Sequence, residues 1–188
     1  RLNKISAISK SLKTINAVTT FVDIAGLVKG ASKGEGLGNK FLSHVKEVNA
    51  IIHLTRCFDS EKIQNVNKDV DPVRDIEIIE TEILLADLES LQKRLRKNIK
   101  KKLCEKELSF LEKCLNLISK GENPILLKDQ FDKNQINKSG LLSLKSRIIV
   151  CNVDEKSLSK GNKYSDACQK KFPKENIIIV CADIEDQI

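Results

Sequence analysis

Thr19-Thr20-Phe21-Val22-Asp23-Ile24-Ala25-Gly26-Leu27-Val28-Lys29-Gly30-Ala31-Ser32-Lys33-Gly34-Glu35-Gly36-Leu37-Gly38 is the stretch from which the rest of the chain is read. Thr19–Gly26 reads as a buried strand that ends in an Asp and a Gly. The loop that follows gathers Gly26, Gly30, Gly34, Gly36 and Gly38, five of the eight glycines in the chain, which marks it as specialised backbone rather than an ordinary turn. A helix comes next, with Phe41, Val45 and Val48 at i, i+4 and i+7. Ala50-Ile51-Ile52-His53-Leu54 is then a continuous apolar strand. Strand, helix and strand with solidly apolar strands predict a parallel sheet covered on both faces.

Beyond Asp71-Pro72 the periodicity changes. Leu84, Leu88, Leu91 and Leu95 form one apolar stripe, and Cys104, Leu108, Leu111, Leu115 and Ile118 a second, with a Lys-rich break between them. Two such stripes predict an antiparallel helical hairpin, begun at Pro72 and closed by Gly121 and Pro124. Residues 123–143 carry no clear pattern. The α/β pattern returns with strands at Arg147–Cys151 and Ile177–Cys181 and a helix over about Ser165–Phe172. The expected organisation is residues 1–70 as one part of an α/β domain, 71–135 as an inserted helical hairpin, and 136–188 as the remainder of the α/β domain.

Composition excludes several classes. At 188 residues, 40% hydrophobic and 31% charged, the chain is that of a soluble protein, and no run reaches the ~18 apolar residues of a membrane span. Arg1-Leu2-Asn3-Lys4 carries no apolar signal segment, and Met is absent throughout, so the chain reads as a piece of something longer. Cys57, Cys104, Cys114, Cys151, Cys168 and Cys181 are widely spaced, without a C-x-x-C pair, and predict neither a zinc site nor a disulfide framework. Cys57, Cys151 and Cys181 end apolar runs and read as small buried hydrophobes in a reducing, cytoplasmic compartment. The net charge of +7 favours an anionic partner.

Asp23 and Gly26 have the spacing of a nucleotide switch. An Asp at a strand end holds Mg²⁺, often through water, and a Gly three residues on brings a backbone N–H to a γ-phosphate. Asp-x-x-Gly alone is common. The longer Asp23–Leu42 string, with Ala25 and Lys33-Gly34-Glu35-Gly36, resembles the switch region of the Obg-related P-loop NTPases. Arg56-Cys57-Phe58 and Asp71-Pro72-x-x-Asp75-Ile76-Glu77-x-Ile79-x-Thr81-Glu82-x-x-Leu85-Ala86-Asp87-Leu88 are similar to the YchF-type, Obg-like ATPases in particular. That resemblance implies a Ras-like P-loop NTPase fold, mostly parallel sheet with an inserted antiparallel helical hairpin. It also implies ATP (or GTP) and Mg²⁺ as ligands, with Asp23 on the metal side and Gly26 at the γ-phosphate. The family's phosphate-binding loop, its switch I Thr and its C-terminal TGS domain have no counterpart within the 188 residues, so the chain by itself is expected to be inactive.

A second signature lies after the strand ending at Cys151. GTPases read guanine with Asn-Lys-x-Asp, whose carboxylate accepts from two guanine donors. Here the string is Asn152-Val153-Asp154-Glu155: Asn is kept, Val153 replaces the Lys and Glu155 replaces the Asp. Adenine presents an acceptor at N1 and no 2-amino group, so the departure suits the ATP preference attributed to the family. Asn152 is expected to offer its amide to the base and Val153 to pack on it. Cys181-Ala182-Asp183 resembles the loop whose backbone closes over the base.

The residue that orients the attacking water is less defined. Leu27 occupies the position of the Ras-type Gln, and the family's later His falls by register on Asn65. Of the two histidines, His53 reads as core and His44 as surface. Seven of the ten residues from Lys93 to Lys102 are basic (Lys93, Arg94, Arg96, Lys97, Lys100, Lys101 and Lys102), enough to neutralise several phosphates. The family's association with ribosomes implies that this patch meets ribosomal RNA, on the large subunit, and that the protein is a monomer apart from any membrane. Two alternatives stand beside the ATPase reading: a GTP-specific Obg-like GTPase, and a non-enzymatic RNA-binding helical module on an α/β platform.

Overall fold

The computed structural model describes residues 1–24, 37–60, 69–98 and 104–187. Its centre is a parallel sheet of β1 (Ala50–Arg56), β2 (Ser146–Asn152) and β3 (Asn176–Val180), in the order β1-β2-β3. The register sets His53 beside Ile149 and Thr55 beside Cys151, then Ile149 beside Ile177 and Cys151 beside Ile179. These residues point to one face.

That face is covered by α3 (Pro72–Asn98) and α6 (Lys163–Lys171). Ile76 of α3 and Cys168 of α6 pack with Cys57, Ile149, Cys151 and Val153 into one buried cluster, joined by Val73, Tyr164, Phe172, Ile177 and Ile179. The opposite face carries Ile52, Leu54 and Ile178, which are 54%, 62% and 48% exposed. The expectation of two covered faces is therefore corrected: among the described residues, only one is. The reason lies in handedness. Crossovers between neighbouring parallel strands are right-handed, and two crossovers stepping in the same direction lay their helices on the same side.

The strand expected over Thr19–Gly26 is also corrected. Residues 19–24 form no strand, and Phe21 and Val22 are 78% and 51% exposed. A strand needs a neighbour to satisfy its backbone, and among the described residues none pairs with this segment. Only Ile24 reaches a core, against α2 (Leu37–Glu47), where Leu42 and Val45 meet Ile83 and Leu142. His44 is exposed, as its helical position predicts.

The helical hairpin is present as α3 and α4 (Glu105–Ser119). Leu91, Phe110, Leu111, Cys114 and Ile118 are buried together, and Leu84, Leu88, Leu95 and Leu115 pack on them. Cys104, placed at the start of the second stripe, is instead the exposed N-cap of α4. α3 begins with Pro72 after Asp71, whose carboxylate accepts from the Arg74 N–H at 3.0 Å. α4 is closed by its C-cap Lys120 and then Gly121, whose φ of +77° suits glycine, with the Glu122 N–H bonded to the Leu117 carbonyl. α3 has two employments along its length: Val73, Ile76, Ile79 and Ile83 face the α/β cores, whereas Leu84 to Leu95 face α4.

The patternless region 123–143 holds a 3₁₀ turn (Pro124–Gln130), α5 (Lys133–Ser139) and a second 3₁₀ turn (Leu142–Leu144). Asp132 caps α5 with a capping box closed by Gln135, and Gly140 ends it at φ 64°. The second turn is held from outside. The buried carboxylate of Asp87 accepts from Leu142 N at 2.9 Å, Ser143 N at 2.8 Å and Ser143 Oγ at 2.7 Å. Burial pushes the Asp87 carboxyl up, while these bonds and Lys46 pull the other way.

Candidate functional site

Ligands of open α/β sheets bind beyond the carboxyl ends of the strands, and the base-reading candidates gather there. β2 ends at Asn152 and β3 at Val180. The Val153 N–H donates to the Val180 carbonyl at 2.8 Å, carrying the β2–β3 pairing one residue further. Across the same gap the Asn152 Oδ1 accepts from the Ala182 N–H at 2.9 Å. One side-chain oxygen thus fastens the loop after β2 to the loop after β3. Oδ1 keeps a second lone pair, and among the described residues Nδ2 makes no hydrogen bond.

Asp154 and Glu155 are exposed, and Glu155 opens a short 3₁₀ turn, Glu155–Ser157. Cys181 is buried at the start of α7 (Ala182–Glu185), where its carbonyl accepts from Ile184 N and Glu185 N. Ala182 and Asp183 are exposed. Val153 departs from expectation. It is 2% exposed and packs with Ile76, Ile149 and Cys168. Its neighbours on both sides face outward at the strand end, so the alternation of the chain turns Val153 into the core.

A supporting loop was not visible in the sequence. The Asn162 Oδ1 accepts from Tyr164 N and Ser165 N to cap α6, while its Nδ2 donates to the Cys57 carbonyl at 2.7 Å. The Cys57 N–H in turn donates to the Asn152 carbonyl at 2.8 Å. Asn162 therefore buttresses the strand end that carries Asn152. The only hint available was an Asn ahead of a helix-like run, a frequent cap. Arg56 acts locally as well: its Nε donates to the Phe58 carbonyl at 3.0 Å, Nη2 donates to the Ser60 carbonyl at 3.2 Å, and its guanidinium lies 4.9 Å from the Phe58 ring.

Asp23 is exposed just before the end of the first described segment. Gly26 and Asn65 lie outside the described residues, as do Lys100, Lys101 and Lys102 and the side chain of Lys97. The rest of the basic stretch is not uniform. Arg94 is half-buried and its guanidinium donates to the Ser139 carbonyl, which pins α3 to the end of α5. Lys93 pairs with Glu89 one turn earlier, at 2.5 Å, and Arg96 is exposed. The expectation that all seven basic residues form one RNA-facing patch is corrected at Arg94, whose charge is turned inward.

His53 is buried in β1, as its apolar setting predicts. Burial, with Arg147 nearby, lowers its pKa to about 4. Arg147 is itself held by Glu80 at 2.7 Å and Glu175 at 2.8 Å. No helix among the described residues is long and apolar enough to cross a membrane.

The family described as 50S ribosome-binding GTPase matches residues 5–87. The chain is 40% identical over 202 residues to a protein of Mycoplasma genitalium named Ribosome-binding ATPase YchF, an alignment covering 100% of this chain and 54% of that protein. A protein of the same name in Bacillus subtilis is 38% identical over 198 residues, again across 100% of this chain and 54% of the relative. The solved structure of the Schizosaccharomyces pombe YchF GTPase is similar with a TM-score of 0.75 and 33% identity, over 99% of this chain and 54% of that one. The chain spans about half the length of the curated relatives it matches. With the parallel sheet in place, the fold is the α/β fold of the P-loop GTPases.

Proposed function

As the chain is a relative of the YchF proteins along its whole length, we propose that it forms the switch and base-reading part of a P-loop nucleotide hydrolase that prefers ATP and binds ribosomes. The observation that carries the reading is the Asn152–Ala182 bond at the carboxyl ends of β2 and β3. It couples the two loops at the strand ends where α/β folds take their ligands, and leaves the Asn152 amide available to a base.

The preference for adenine rests on what surrounds that amide. No Lys stem lies along the base, since Val153 is in the core. Glu155 is a methylene longer than the Asp of guanine readers, so its carboxylate does not sit squarely at guanine N1 and N2. Losing a charged, two-point contact removes roughly 1.5–3 kcal/mol of guanine preference, on the order of ten- to a hundredfold. Asp23 offers an exposed oxygen donor of the type Mg²⁺ takes, directly or through water. Mg²⁺, when bound, neutralises charge on the phosphate oxygens. Gly26 and Asn65 would serve at the γ-phosphate and the attacking water.

Ribosome binding is assigned to the basic stretch of the hairpin, through Lys93, Arg96, Lys97, Lys100, Lys101 and Lys102, with the large subunit and its RNA as the surface met. In this reading residues 71–135 are an insertion carried by an α/β domain of 1–70 and 136–188, in a cytoplasmic monomer. The deciding experiment compares ATP and GTP dissociation constants of the full-length protein. ATP is expected to bind at least as tightly; a tenfold preference for GTP would sink the adenine assignment.

A further inference from the structure

Cys57, just past β1, Cys151 in β2 and Cys168 in α6 are far apart in sequence and meet in the core. Their Sγ atoms all lie within 4.8 Å of one another, and each residue is 0% exposed. All three thiols are free. Apolar groups surround them, including Ile76, Ile149 and Val153. Three sulfurs converging from three elements form a ring of soft donors sealed from water.

We propose that the Cys57–Cys151–Cys168 triangle binds a soft, low-coordinate cation, Cu(I), through three sulfur ligands. Size supports this first. A metal–sulfur bond of about 2.3 Å places the three sulfurs of a planar trigonal centre about 4 Å apart, a spacing that falls inside the 4.8 Å within which the three Sγ atoms lie. Donor chemistry supports it next: an all-sulfur set selects soft ions and disfavours Mg²⁺ and Ca²⁺, which take oxygen. Zn²⁺ seeks a tetrahedral fourth ligand, and among the described residues no other His, Cys, Asp or Glu joins the group. Entry of the ion replaces the S–H bonds by sulfur–metal bonds and releases the displaced thiol protons to solvent. The site lies directly beneath the base-reading loop, because Cys151 precedes Asn152 and Cys57 N bonds its carbonyl.

The test loads the reduced full-length protein with Cu(I) under anaerobic conditions against a chromogenic Cu(I) chelator. One equivalent should be retained, with an X-ray absorption shell of three sulfurs at about 2.3 Å. Cys151→Ser and Cys168→Ser should each weaken retention at least about a hundredfold, more than loss of an outer partner does. Cys104→Ser, at the exposed cysteine, should leave it unchanged. Should the core variants fail to fold, the wild-type sulfur shell decides alone. Retention of no Cu(I), a shell of fewer than three sulfurs, or tighter retention of Zn(II) than of Cu(I) overturns the proposal.

Discussion

The side chain of Asn152 and the backbone of Ala182 are joined across 30 residues by a 2.9 Å hydrogen bond that ties the ends of two parallel strands together. In the proposed reading the oxygen of this amide holds the loop and its nitrogen meets the base, which makes the two groups separable. Asn152→Asp keeps an acceptor for Ala182 N–H and removes the donor. It should leave the urea midpoint close to wild type while weakening ATP and GTP binding by about tenfold. Asn152→Ala removes both, and should lose roughly 1 kcal/mol of stability besides. Calorimetric titration and urea unfolding of the full-length protein, run on both variants, check the pair. Equal nucleotide affinity in wild type and Asn152→Asp would remove the amide from base recognition.

Val153 is the position at which a guanine reader carries Lys, and here it is 2% exposed among apolar neighbours. Val153→Lys is therefore expected to cost roughly 3 kcal/mol or more, because an ammonium must be buried or the loop must turn outward. The urea midpoint reads this directly. A midpoint unchanged from wild type would place the side chain outside the core.

Asp87 satisfies three donors of the Leu142–Leu144 turn from a helix that precedes them by 55 residues. Asp87→Ala would leave Leu142 N, Ser143 N and Ser143 Oγ buried without their acceptor and should cost about 3 kcal/mol. Asp87→Asn, which retains one acceptor oxygen, should cost less. Equal losses in the two variants, measured by denaturant unfolding, would show that volume rather than hydrogen bonding matters at the position.

His53 supplies the expected pH dependence. Its folded pKa of about 4 lies below the ordinary 6.5, so between these values the unfolded chain binds a proton that the folded one excludes. Stability from this group is complete above about pH 6.5 and is lost as pH falls toward about 4, by roughly 3 kcal/mol in all. His53→Gln should flatten the stability curve over that window relative to wild type. Parallel curves would mean that His53 is not the titrating group.

Arg94 and Arg96 are two residues apart in one basic stretch and should behave oppositely. Arg94→Ala removes the donor to the Ser139 carbonyl and should lower stability by roughly 1–2 kcal/mol. Arg96→Glu should leave stability near wild type and weaken ribosome binding, with a log–log salt slope lower by about 0.7–0.9. Sedimentation with ribosomes over a salt series separates the effects.

The legible parts of the molecule were those written in local period. Ile148–Cys151 and Ile177–Val180 read as strands because four or five apolar residues in a row have few other homes, and Leu84–Leu95 as helix because its spacing repeats over several turns. Asn152 and Ala182 were legible as candidates because each follows such a strand. What escaped was set by tertiary geometry. The uncovered face with Ile52 and Leu54 follows from crossover handedness, which no residue encodes. Val153 could be assigned to base or core only once the end of β2 was placed. Residues 123–143 form short turns whose stability comes from Asp132, Gly140 and the distant Asp87, and Cys57, Cys151 and Cys168 converge from three elements with no spacing rule to announce them.

α3 is held along its whole length. Val73 and Ile76 seat its first half against the sheet, Ile83 and Ala86 meet α2, and its second half packs on α4 and is tied to α5 through Arg94. At 27 residues, and about 1.5 Å of rise for each, it is roughly 40 Å long. The single uninterrupted helix thus joins the sheet's core and the hairpin's core in one element, so that Ile76 beside the strands and the exposed Arg96 share one continuous backbone.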